Sequence, residues 1–133
     1  MDKDRSSIIE ASANRQITVA ITNSSAESLT IANFQLAAGA WETAPELGGT
    51  VAPGNTPSYV NFTDQPFTNL GGSIALVPAQ GGTLDITWKW DYGSAVSGKA
   101  TVSNAPAISV SSNVINANTL SPTLQVRVTN ASS

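Results

Sequence analysis

Gln16-Ile17-Thr18-Val19-Ala20-Ile21-Thr22 decides the fold. Ile17, Val19 and Ile21 fall at every second position, with Gln16, Thr18 and Thr22 between them, and a period of two means a half-buried strand. The same device recurs in Ser28 to Phe34 through Leu29 and Ile31, and in Leu124, Val126 and Val128 alternating with Gln125, Arg127 and Thr129. Working outward, Ser7–Ala11, Ser58–Phe62, Ser73–Val77, Leu84–Trp90, Lys99–Asn104 and Ala107–Ser111 have strand composition, which predicts roughly nine short strands in all. β-branched residues and Thr dominate these segments, and no stretch carries helical spacing long enough to compete. Alternation implies one wet face per strand, so the expectation is all-β: a single-domain antiparallel β-sandwich over residues 1–133, with 1–6 as a flexible N-terminal tail.

The punctuation fits. Ala52-Pro53-Gly54-Asn55 has the composition of a turn with Pro at its second position and Gly at its third. Gly48-Gly49, Gly71-Gly72 and Gly81-Gly82 are each suited to a hairpin turn or a bulge. None precedes a helix or is followed by Lys, so none reads as a phosphate loop.

Composition narrows the function. The 133 residues contain no His and no Cys, which removes Ser-His-Asp and Cys-His catalysis and the usual zinc sites. Six basic and nine acidic residues give a net charge of −3, without the basic footprint of a nucleic-acid binder. The carboxylates show neither a calcium-type cluster nor a recognisable catalytic pair, so neither an enzyme nor a cofactor is expected. The polar start Met1-Asp2-Lys3-Asp4-Arg5 does not read as a secretory leader, and no apolar run is long enough for a spanning helix. Asn23-Ser24-Ser25, Asn61-Phe62-Thr63 and Asn130-Ala131-Ser132 match the glycosylation acceptor pattern, a match expected by chance in so Asn- and Ser-rich a chain.

The aromatics are the more useful lead. Leu84, Ile86, Trp88 and Trp90 share one strand face, which makes Trp88 a core residue. Trp90 and Tyr92 lie nearer the strand end, beside Asp91 and Gly93-Ser94, and Trp41 sits in a turn-rich setting; exposed rings are expected there. Exposed aromatics seek a lipid interface or a sugar face.

These residues carry a resemblance to the aegerolysins, small all-β proteins, running from Ile17 to about Val128. Ile21-Thr22-Asn23 with Leu29-Thr30-Ile31 resembles the opening strand pair of that family, and Gly39-Ala40-Trp41-Glu42-Thr43-Ala44-Pro45 its Gly-x-Trp segment followed by Pro. Val51-Ala52-Pro53-Gly54 resembles its Ile-x-Pro-Gly turn, and Gly71-Gly72-Ser73-Ile74 its Gly-rich strand entry. Trp88-Lys89-Trp90-Asp91-Tyr92-Gly93-Ser94 resembles its Trp-x-x-Pro-aromatic-Gly-Ser segment, with Asp91 where the family has Pro. The resemblance implies a sandwich that recognises membrane lipids, typically sphingolipid with or without sterol. It also implies the small targeting component of a two-component pore-forming toxin with a larger partner protein, acting extracellularly. Trp41, Trp90 and Tyr92 are the expected interface residues, with Lys89 and Lys99 near a lipid phosphate. A self-assembling structural subunit, hence a homo-oligomer, and a carbohydrate-binding sandwich are the competing readings.

Overall fold

Every second side chain of β1 (Arg15–Asn23) is buried, as its alternation requires. The computed structural model describes residues 14–131, so the Ser7–Ala11 segment and the 1–6 tail lie outside the described residues. Nine further strands follow: β2 (Leu29–Ala38), β3 (Ala40–Thr43), β4 (Thr50–Val51), β5 (Ser58–Thr63), β6 (Leu70–Pro78), β7 (Thr83–Trp90), β8 (Ser97–Ser103), β9 (Ile108–Ile115) and β10 (Thr123–Asn130). They form two five-stranded sheets, ordered β3-β5-β1-β10-β9 and β4-β2-β6-β7-β8, with no helix among the described residues. The inward residues of both sheets, including Ile17, Val19, Ile21, Ile74, Leu76, Leu84, Ile86, Leu124 and Val126, make one core. The expected all-β sandwich is therefore the fold.

Its details differ from expectation in two places. β1 and β10 pair in parallel, Val19 opposite Leu124 and Ile21 opposite Val126, whereas every other ladder is antiparallel. Alternation reports which face a residue takes and is blind to strand direction. The chain also forms two strands, β3 and β4, within stretches that read as turns; both are short, and β3 shows no alternating burial. Gly71-Gly72 lies at the entry to β6, opposite a bulge between Leu36 and Ala38 of β2, in keeping with the Gly-rich strand entry and bulge expected of it. Ala52-Pro53-Gly54-Asn55 is the expected turn: Gly54 has φ +88° and the Asn55 amide donates to the Ala52 carbonyl at 3.1 Å.

β2 and β3 are consecutive yet belong to opposite sheets, and the chain crosses between them at Gly39. Gly39 has φ +82°, and a Cβ there would lie 2.5 Å from Leu70 Cδ2 and 2.9 Å from the Phe62 carbonyl oxygen. Only glycine fits this corner.

Crossing between sheets interrupts both ladders, and one buried side chain satisfies the groups left over. Asn61, on the inner face of β5, is 0% exposed. Its Nδ2 donates to the carbonyls of Ala38 and Ala40, both at 3.1 Å. Its Oδ1 accepts from the Gly71 amide at 2.9 Å and from the Trp88 indole Nε1 at 3.0 Å. Asn23 plays the same part at the other end of the sandwich, donating to Glu27 and Val51 carbonyls and accepting from the Ser25 amide and hydroxyl. Two of the three glycosylation-pattern asparagines thus lie with their amides sealed in the fold and fully engaged.

Burial also governs how stability depends on pH. Tyr59 packs into the core, and desolvation raises its phenol above the usual value of 10.0. The folded state then favours the protonated phenol. That contribution is complete below the unfolded value and is lost as pH rises through the folded one. Urea midpoints should fall as pH climbs above about 10, and Tyr59→Phe should flatten that alkaline limb. An alkaline limb as steep in Tyr59→Phe as in the wild type would remove Tyr59 as its source.

Candidate functional site

The topology gathers several connections at one end of the sandwich. The start of β1, the β5–β6 loop, the β7–β8 loop and the β2–β3 corner all meet there, because β1 pairs antiparallel with β5, β2 with β6 and β6 with β7. Two apolar rings project from this end. Phe67 is 71% exposed and Tyr92 54% exposed. They meet edge to face with ring centroids 4.8 Å apart.

The loop beneath Phe67 is built to hold it out. Phe67 has φ +64°, a left-handed conformation that a bulky residue enters only at a cost of about 1–2 kcal/mol. Thr63 Oγ1 accepts from the Gln65 amide, the Thr68 hydroxyl donates to the Pro66 carbonyl, and the Arg15 guanidinium donates to the Thr68 carbonyl. On the other side, the Tyr92 amide donates to Asn69 Oδ1 at 2.8 Å, tying the two loops together.

Arg15 joins these pieces from below. It is almost fully buried, and its guanidinium lies 5.0 Å from the Trp90 ring centroid and 5.8 Å from that of Tyr92. Desolvation lowers its pKa from the usual value, with the electrostatic influence of Tyr92 opposing the shift; it stays a cation at any ordinary pH. Among the described residues no carboxylate pairs with it, so the aromatic faces and the Thr68 carbonyl are what hold it.

The residues expected from the sequence take different places. Tyr92 lies at the exposed end. Trp90 is only 9% exposed, because the strand alternation carries it inward beside Trp88 and Arg15 covers it. Its nearness to the strand end does not expose it, which corrects that expectation. Trp88 is core, as expected. Trp41 is half-buried, edge-on to Phe34 at 5.9 Å and to Trp88 at 6.0 Å, and so belongs to an internal aromatic row. All three indoles therefore lie wholly or partly within the protein.

Lys89 and Lys99 come together on the outer face of the second sheet. Lys89 is opposite Ser97 and Lys99 opposite Thr87, which makes the lysines diagonal neighbours across β7 and β8. They flank a shallow depression of about 490 Å³. Lys89 Nζ is 3.3 Å from an Asp91 carboxylate oxygen, both exposed, a pair that contributes little to stability. Phe67 and Arg15 were not singled out by the sequence. The available signal was an aromatic directly after Pro in the polar loop Asp64-Gln65-Pro66-Phe67-Thr68-Asn69.

No family model matches the sequence, and neither does any curated protein. Solved structures do match in fold. The chain is similar to the lipid-binding protein Nakanori, with a TM-score of 0.70 and 9% identity over 95% of this chain and 77% of that one. It is similar also to IP-1A from Alcaligenes faecalis, with a TM-score of 0.67 and 13% identity over 96% and 98% of the two chains. At such identities the likeness is one of fold.

Proposed function

We propose that this chain recognises membrane lipids, docking on a bilayer through the end that carries Phe67 and Tyr92. The observation that carries this reading is the pair of exposed, mutually packed rings, one of them on a strained backbone. Aromatic side chains of this kind settle at the headgroup level, where an apolar body and a polar tip are both satisfied. Trp90 and Arg15 form the rigid base of that tip, and Lys89 and Lys99, diagonal neighbours on the adjoining sheet face, would add attraction to lipid phosphate. The fold likeness to a lipid-binding protein supports the same reading.

More finely, the target is sphingolipid, with or without sterol. The chain acts outside the producing cell as the aegerolysin-like targeting component of a two-component pore former. The motif resemblance supports this.

Sedimentation with vesicles tests this. Binding should be weak on phosphatidylcholine alone and rise about tenfold or more when sphingomyelin, or sphingomyelin with cholesterol, is included. Equal binding to all three mixtures would contradict the sphingolipid target. No binding to any would contradict the lipid reading itself. The intrinsic tryptophan spectrum should change little on docking, because Trp88 and Trp90 are already buried.

A further inference from the structure

On the outer face of the second sheet, beside the aromatic end, lies a groove of about 490 Å³, within the range of small-molecule sites. The sequence creates it by omission. At Ala37 and Gly71 the facing strands carry only a methyl group and a hydrogen, and the β2 bulge sets them side by side. A Cβ at Gly71 would rest 3.7 Å from that of Ala37 and 3.8 Å from Lys89 Cα, so this floor is flat and close-packed.

Polar side chains rim the floor: Gln35, Asn69, Ser73, Lys89 and Asp91. Asn69 uses its Oδ1 for the Tyr92 amide, and its Nδ2 has no protein acceptor among the described residues. Among the described residues the Gln35 and Ser73 side chains have no protein hydrogen-bond partner either, so donors and acceptors stand open around one concavity. Lys89 and Asp91 neutralise each other, and the rim carries no net charge. An isolated phosphate would need a cationic rim, and an acyl chain on the apolar floor of Leu36, Ala38 and Leu70 would leave the open donors and acceptors of the rim unpaired. A ring of hydroxyls that both donate and accept, with a C–H face to lay on a flat floor, fits both features.

We propose that this groove binds a neutral pyranose, from a free glycan or from the headgroup of a glycolipid. Asn69 and Asp91 are chain neighbours of the loops that carry Phe67 and Tyr92, so a glycolipid headgroup would reach the groove from a bilayer at that end. The sugar site does not depend on the membrane reading.

Amide NMR titration with methyl β-galactoside, methyl α-mannoside and methyl β-N-acetylglucosaminide provides the test, with inorganic phosphate and phosphocholine as comparisons. At least one glycoside should shift Gly71, Gly72, Ser73 and Lys89. Its affinity should fall about tenfold in Asp91→Asn and in Lys89→Gln, both exposed positions whose replacement leaves the fold intact. Phe67→Ala, which is not part of the groove lining, should leave the shifts unchanged even where it abolishes vesicle binding. Tighter binding to lactosylceramide vesicles than to free lactose would assign the source to glycolipid, and equal binding to free glycan. No shift with any glycoside, or shifts with phosphate or phosphocholine alone, would overturn the proposal.

Discussion

Asn61→Leu is expected to lower the stability of the folded state by about 3–5 kcal/mol, enough to shift the melting temperature down by about 10–20 °C. The leucine has nearly the same size, so packing is not the issue. The Trp88 indole N–H and the Gly71 amide lose their acceptor, and the Ala38 and Ala40 carbonyls lose their donor. Each buried polar group left without a partner costs about 1–3 kcal/mol, and a leucine side chain offers none of the four a substitute. The corner at Gly39 also loses a brace, because Asn61 ties the carbonyls on either side of Gly39 to the Gly71 amide of β6. A melting temperature within about 3 °C of the wild type would show that Asn61 is not the hub.

That residue also shows where the sequence stops being informative. The strands were legible because alternation is dictated by burial: β1, β7 and β10 each place an apolar residue inward at every second position. The same rule correctly placed Trp88 with Leu84 and Ile86, and it put Trp90 on that face too. Proximity to a strand end was the weaker guide to Trp90, since it takes no account of Arg15, which arrives from β1 at the far end of the sequence contact. Asn61 had only its place in a glycosylation pattern, because nothing local distinguishes an asparagine that caps a sheet crossing from one that faces water. The parallel β1–β10 pair was equally hidden, as it joins the two ends of the described chain. The site was legible in part. The exposure of Tyr92 could be named in advance, whereas Phe67 depends on loop backbone geometry and Arg15 on a cation–aromatic contact, neither of which has a period.

The second large effect is expected at the exposed end. Phe67 and Tyr92 present ring surface to water in the free protein, and docking would remove it. Burying such side chains contributes about 1.5–3 kcal/mol each when complete, and an interfacial site realises part of that. Phe67→Ala with Tyr92→Ala should therefore weaken vesicle binding by about 3 kcal/mol, on the order of 100-fold. Folding should be little affected, since neither ring belongs to the core. Phe67→Ala keeps the Cβ and with it the left-handed backbone cost, so its melting temperature should be close to that of the wild type.

Sedimentation of the wild type and the Phe67→Ala/Tyr92→Ala variant with the same sphingomyelin–cholesterol vesicles tests the docking claim most directly, once both are shown to melt alike. The account predicts wild-type protein in the pellet and the double variant left in the supernatant at lipid concentrations about 100-fold higher. Equal pelleting of the two proteins would contradict it, and would move the lipid contact to another face of the sandwich.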